Sequence, residues 1–313
     1  MNSAGVSREE LVEEDTPKGR FLFARSEITG GDTAALLAPI IVDILNHFPW
    51  PKSQRWGRGK FRWVRPLHRI NILFDGRPLA GALNLGGGDV INFGAASCGH
   101  YFEAPDDIDL AGVTSLDDVK ARLRAGYVML DQDERHDAII SDAKKLAASQ
   151  SCHLNEVQLG SYLADIAGLV EWPTPLMGHI EDRFMVLPPE LLQATIATHQ
   201  KYITLSDADG KFSSNFIVLS NRLGDAARDK VIIAGNQRVL RARLADAEFF
   251  WQQDQARPLE SYPPALGDVT FYEGLGSIYD KSIRVETLAS AIAQHVPSAN
   301  QKAASRAARL AKA

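Results

Sequence analysis

The stretch Gly235–Asp254, GNQRVLRARLADAEFFWQQD, narrows the choice of fold more than any other part of the chain. Leu240, Leu244, Ala247 and Trp251 recur at three- and four-residue steps, which places them on one face of a helix. Arg238 and Arg241 fall on the other side, and Arg243 stands three residues before Asp246, within reach of a flank pair. Asn236 is placed to cap this helix, its side-chain oxygen accepting from the free N–H groups of a first turn. Such a helix must bury an aliphatic and aromatic stripe against another layer. Its arginines fit either a solvated charged face or a surface that meets phosphate, and periodicity does not separate the two.

A second constraint lies at 49–69, PWPKSQRWGRGKFRWVRPLHR. Lys52, Arg55, Arg58, Lys60, Arg62, Arg65 and Arg69 are basic, and no Asp or Glu occurs from Pro49 to Phe74. Trp56, Phe61 and Trp63 are interleaved with them, and prolines and glycines keep the first half from forming a long helix. Aromatic planes among arginines are what single-stranded RNA needs: rings for base stacking and cations for phosphate. Buried tryptophans covered by arginine stems would leave the same pattern. The net charge of −5 argues against a globally basic nucleic-acid binder, so any such binding has to be local.

The remaining segments read as an α+β chain with long helices and a helical C-terminal part. Residues 1–18 form a ragged or disordered lead-in, 19–257 an α+β core, and 258–313 a helical segment leading toward a missing C-terminal region. Phe21–Arg25 is a short strand, and Asp32 or Thr33 caps a helix to about His47. Leu67–Phe74 is a strand whose hairpin partner is Leu79–Leu85, across a turn at Asp75–Pro78. Asp117–Ser149 reads as one long helix or two, Asn155–Ala167 as a helix, and Leu169–Pro173 as a strand ending at proline. Arg183–Leu187 is a short extended piece, and Pro188-Pro189-Glu190 opens a helix that ends at HQKYI. Tyr202–Leu205 and Phe216–Ser220 are strands around the turn Asp207–Gly210. Pro258 and Pro263-Pro264 mark a linker, followed by a helix from Gly276 to His295 with Ile283, Leu288 and Ile292 inward. In the tail, Lys302, Arg306, Arg309 and Lys312 form one basic stripe.

Few residues read as chemistry. Gly86-Gly87-Gly88 lacks the Gly-Lys-Ser/Thr of a phosphate-binding loop, and Cys98 with His100 is too little for a zinc site. His136-Asp137 reads as solvated helix surface, and His199 with Lys201 is the nearest approach to a reactive cluster. No catalytic residue, metal ligand or cofactor is assigned to this stretch of chain. Two cysteines, Cys98 and Cys152, fit a reducing cytoplasm, and the apolar run Ala34–Leu45 is too short to span a bilayer. A cytoplasmic protein without membrane contact is expected.

Taken together, PWPKSQRWG, FRWVRPLHR, LVEWPTPLMG, LPPELLQATIATHQKYI, FIVLSN, GNQRVLRARLADAEFFWQQD and LGSIYDKSIR resemble the beta subunit of the bacterial heterotetrameric glycyl-tRNA synthetase. The match runs in order from about Gly19 to the C-terminus. Three departures stand out: Gln54 where the family has Met, Tyr101 where a basic residue follows Gly-His, and Ile203 where Phe follows Lys-Tyr. The resemblance implies a mixed-sheet α+β domain similar to one shared with the phenylalanyl-tRNA synthetase beta subunit. It also implies a fragment lacking the family's opening segment, its HD-type domain and its anticodon-binding domain.

By the same resemblance, ATP and Mg serve the complete enzyme, glycine is activated in the alpha subunit, and the partners are that alpha subunit, in an α2β2 tetramer, and tRNA-Gly. The implied role is tRNA binding and subunit assembly in support of ATP-dependent glycine attachment. A hydrolytic editing-type domain acting on mischarged tRNA, or a protein-interaction scaffold, are the alternatives. Lys52, Arg55, Arg58, Arg62 and Arg65, with Arg238, Arg241 and Arg243, are the expected RNA-phosphate contacts.

Overall fold

The computed structural model describes residues 11–24, 30–160 and 162–313. It is a mixed α/β chain that divides into two compact units, Met1–Leu130 and Asp131–Ala313. This division falls inside the stretch 19–257 that the sequence reads as one core, between the helices Leu116–Ala125 and Gln132–Ala148.

In the first unit, Leu11–Thr16 pairs antiparallel with Gly19–Ala24. Residues 11–18, expected in a ragged lead-in, are therefore part of a hairpin. Residues 1–10 of that lead-in and Arg25 lie outside the described residues. The helix Thr33–His47 starts where expected, with Asp32 accepting from the Ala35 N–H. The expected strand 67–74 is two short pieces, Ile70–Asn71 and Leu73–Phe74. Asp75 and Gly76, both at positive φ, turn the second piece back onto Arg77–Pro78. The longer hairpin is Ala82–Gly86 with Asp89–Gly94, so the expected partner of strand 67–74 pairs forward instead. Ile70–Asn71 then lies parallel to Phe93–Gly94.

The second unit is built on a four-stranded antiparallel sheet, in the order His153–Leu154, Ile203–Ser206, Phe212–Asn221, Pro173–His179. Strand Phe212–Asn221 carries a continuous apolar run because both of its faces are covered. Phe216 and Val218 point into a cluster with Leu176, Phe184, Ile196, Leu240 and Leu244. Ile217 points the other way, to Ile139, Ala143, Ile166 and Ile203. The sheet thus lies between the helices Ala226–Gln255 and Gln132–Ala148. Gly178 stands opposite Phe216, and a Cβ there would meet the ring at 2.3 Å. The missing side chain lets Phe216 lie flat under the strand and stack on Tyr202, with centroids 5.2 Å apart.

Several expected boundaries move, each for a local reason. Pro173 begins its strand instead of ending one, since a first residue needs no ladder N–H. Asn155–Ala167 becomes two short helices, Glu156–Gly160 and Leu163–Ala167. In place of the extended piece expected at Arg183–Leu187, Asp182–Val186 form a 3-10 turn that buries Phe184. The helix opened by Pro189 widens into a π-turn at Ala194–His199, and Lys201 leaves it in the left-handed region at φ 59°. The long helix begins eleven residues earlier than expected, at Ala226, with Asp225 in place of Asn236 as its cap. Asn236 is interior to it: its Oδ1 accepts from the Tyr202 hydroxyl at 2.7 Å and its Nδ2 donates to Ile232 O.

The helix Ile278–Ala293 also differs from expectation. Ile283, Leu288 and Ile292 face outward, Leu288 with 61% of its surface open. This helix packs on Gln301–Leu310 through a small and polar face, on which Ser282 and Ala293 are buried. Gln301 donates to Ser290 Oγ at 2.9 Å, and Ser305 donates to Glu286 at 2.8 Å. That face cannot also be the apolar one.

Two substitutions test the packing by urea unfolding. Leu240→Ala should cost roughly 2–5 kcal/mol, because the cavity opens under the sheet, while Val239→Ala beside it should stay within about 0.5 kcal/mol. Tyr202→Phe, which removes the tie to Asn236, should cost about 1 kcal/mol.

Candidate nucleic-acid interface

The basic stretch of the first unit has almost no regular secondary structure, and ring packing takes its place. Phe48, Trp50, Trp63, Phe61 and Trp56 form a continuous chain of aromatic contacts with centroids 4.7–6.0 Å apart. A single antiparallel bridge, Gln54 with Trp63, closes the loop between them. Arg62 secures it from the side, donating from Nε to Ser53 Oγ at 3.0 Å and from Nη2 to Ser53 O at 2.8 Å. The Lys60 and Phe61 N–H groups both donate to Leu85 O, which binds the loop to the hairpin Ala82–Gly86/Asp89–Gly94. The approach is so close that a Cβ on Gly59 would lie 2.1 Å from the Leu85 carbonyl oxygen.

With the rings half-buried, the cations are left outside. Lys52, Arg55, Arg58, Arg62 and Arg65 are all exposed. Lys52, Arg55, Arg58 and Arg65 make no ion pair or hydrogen bond among the described residues. Arg69 is different: it meets Asp107 at 2.7 Å, a hydrogen bond that raises its pKa further, and the carboxylate offsets its charge. One carboxylate, Asp89, comes up against Gly57. A groove of about 630 Å³ opens beside the rings, with Phe48, Trp50, Lys60, Phe61, Arg62 and Asn84 on its walls.

The other three arginines stand on the long helix of the second unit, so the two expected groups belong to different units. Arg238, Arg241 and Arg243 are exposed, opposite the buried Leu240 and Leu244. Arg238 and Arg243 make no ion pair among the described residues. The expected Arg243–Asp246 pair is absent from them, in keeping with an exposed pair whose cation is N-terminal, the weaker orientation on a helix. Arg241 pairs with Glu181, which also accepts from Arg183 at 3.1 Å. Arg183 reaches Glu248 as well, at 3.6 Å. Arg241 is thus a half-neutralised cation, less available to phosphate than Arg238. A cleft of about 260 Å³ lies here, lined by His179, Glu181, Gln237, Arg238 and Arg241.

Glu181, Arg183, Phe48 and Trp50 were not singled out by sequence reasoning. HIEDRF carried a signal in its clustered charges, Phe48 directly precedes the basic stretch, and Trp50 lies at its start. The loop at Cys98–Phe102 is held by His100, buried, whose Nδ1 accepts from the N–H groups of Phe102 and Glu103. Its role there is to shape a turn. Lys201 pairs with Asp165 at 3.2 Å, while His199 is exposed. Among the described residues no group of His, Cys, Asp or Glu could hold a metal ion, and no helix is long and apolar enough to cross a membrane.

The Arg183 and Arg241 hydrogen bonds hold the Glu181 carboxyl below its ordinary value, the bond from Arg183 being the largest single cause. A lowered folded-state pKa stabilises the fold above the unfolded value, and the contribution disappears as pH falls through the lowered one. Carboxyl NMR titration should therefore show the Glu181 midpoint rising in Arg183→Gln and in Arg241→Gln. A midpoint that is unmoved in both would mean that neither pair forms in solution.

The family model described as glycyl-tRNA synthetase beta subunit matches residues 1–313. A glycine–tRNA ligase beta subunit of Rhodospirillum centenum is 41% identical over 317 residues, covering 94% of this chain and 43% of its own length. Those of Ruegeria sp. and Paracoccus denitrificans are each 40% identical across 100% of this chain, and 45% of each relative is covered. The chain therefore spans less than half the length of the curated relatives it matches. With the family model matching residues 1–313 and relatives about 40% identical across nearly all of the chain, the chain belongs to the glycyl-tRNA synthetase beta subunit family.

Proposed function

We propose that this chain is a tRNA-binding and subunit-assembly part of a glycyl-tRNA synthetase beta subunit. In this reading it supports the ATP-dependent attachment of glycine to tRNA-Gly. The alpha subunit, its partner in an α2β2 tetramer, activates glycine with ATP and Mg. The sheet-centred unit would correspond to the domain shared with the phenylalanyl-tRNA synthetase beta subunit.

The observation that carries the reading is the set Lys52, Arg55, Arg58 and Arg65, exposed and without an ion pair among the described residues, on a loop packed on aromatic rings. Unpaired cations on a fixed frame suit a polyanion for two reasons. No internal ion pair has to break on binding, and little loop entropy is lost. Phosphate contact then releases counterions, so affinity falls with added salt. An acidic protein can bind RNA in this way if the positive field is confined to one loop. Arg238 and Arg243 offer a second point of contact, and Arg241 a weaker one because of Glu181.

A filter-binding titration against tRNA-Gly tests this. The log–log salt slope should fall by roughly one unit for each phosphate-contacting residue removed among Arg55→Ala, Arg58→Ala and Arg65→Ala, with Arg241→Ala changing it least. Absence of binding at low salt by a chain shown to be folded would defeat the proposal. Unimpaired tRNA charging by an enzyme carrying all three loop changes would leave docking on the alpha subunit as the better reading.

A further inference from the structure

We infer that the groove beside the aromatic cluster holds an unpaired nucleobase, with Phe48 as its stacking face, Phe61 on the wall beside it, and Lys60 and Arg62 toward its phosphate. The inference rests on the RNA-binding reading and narrows it from a polyanion to a single strand. Phe48 touches both Trp50 and Trp63, yet 46% of its surface stays open. Phe61 is stacked against Trp63 at 15° and shares the groove wall. A ring fixed on one side and open on the other is a stacking platform, and every base has a face to offer it.

The polar groups of the groove fit the rest of a nucleotide. The Lys60 ammonium group makes no ion pair or hydrogen bond among the described residues, its only bond there being from the backbone N–H to Leu85 O. Arg62 uses Nε and Nη2 on Ser53, which fixes the guanidinium and leaves Nη1 to donate outward. Asn84 accepts from the Gly86 N–H through Oδ1 at 2.8 Å, which orients its amide and leaves Nδ2 to donate to an acceptor on a base edge. The groove, at about 630 Å³, is within the range that a ligand of nucleotide size fills. Paired bases are already stacked and present only their edges, so a duplex could offer its phosphates to the loop but no free face to Phe48.

Short oligoadenylate, the matching RNA duplex and inorganic polyphosphate separate these contributions, with tryptophan fluorescence as the readout. The single strand should quench the cluster and bind more tightly than the duplex or polyphosphate. Phe48→Leu, which keeps the apolar surface but removes the ring, should weaken single-strand binding roughly tenfold and leave polyphosphate binding unchanged. Phe48→Trp should restore it, and Asn84→Ala should reduce the preference among homopolymers. Equal affinity for all three probes, indifferent to Phe48→Leu, would overturn the groove while leaving RNA binding through phosphate intact. Failure of every probe to bind the folded chain would overturn both.

Discussion

The stack of Tyr202 on Phe216 is where the second unit is joined, and much of that unit depends on it. Phe216 fills the space left by Gly178 on the neighbouring strand, so sheet register and core packing are set by one fit. Tyr202 carries the arrangement outward, its hydroxyl donating to Asn236 in the middle of the long helix. Burial raises the pKa of that hydroxyl, which keeps it a neutral donor at physiological pH. With the helix fixed against the sheet in this way, Leu240 and Leu244 must point inward and Arg238, Arg241 and Arg243 outward.

That outward face explains how much of the site was legible beforehand. The period of Leu240, Leu244, Ala247 and Trp251 was enough to place the arginines in solvent. It could not find the start of the helix. Val231, Ile232 and Ile233 are poor helix formers, and Asn236 looks like a cap when read alone. Packing of Ile232 and Ile233 on the core overrides their propensity, and the amide that resembled a cap is a cross-tie. Likewise the stripe Ile283–Leu288–Ile292 showed that one face of its helix is apolar. Nothing in a period tells whether that face is covered, and here it is not.

The charged residues divide along a similar line. Arg55, Arg58 and Arg65 have no ion pair among the described residues, and that their own segment offers no acid is visible in the sequence. Arg69 and Arg241 are neutralised by Asp107 and Glu181, residues far away along the chain, and only the fold reveals those pairs. The aromatic loop gave a clear compositional signal, yet its shape follows from ring contacts and two N–H groups on one carbonyl, which no periodicity describes.

The approach of Gly59 to Leu85 extends to the glycines of the facing turn. A Cβ on Gly87 would meet Arg58 O at 2.8 Å, and one on Gly86 would meet Lys60 N at 3.1 Å. Two ribbons of bare backbone press together, and neither can accept a side chain unless the other retreats. Over evolutionary time the loop and the turn must therefore drift as one unit, with insertions in either tolerated only when the other lengthens to match. A shift of either ribbon would carry the guanidinium groups borne on that loop with it, because one seam lies beneath all of them.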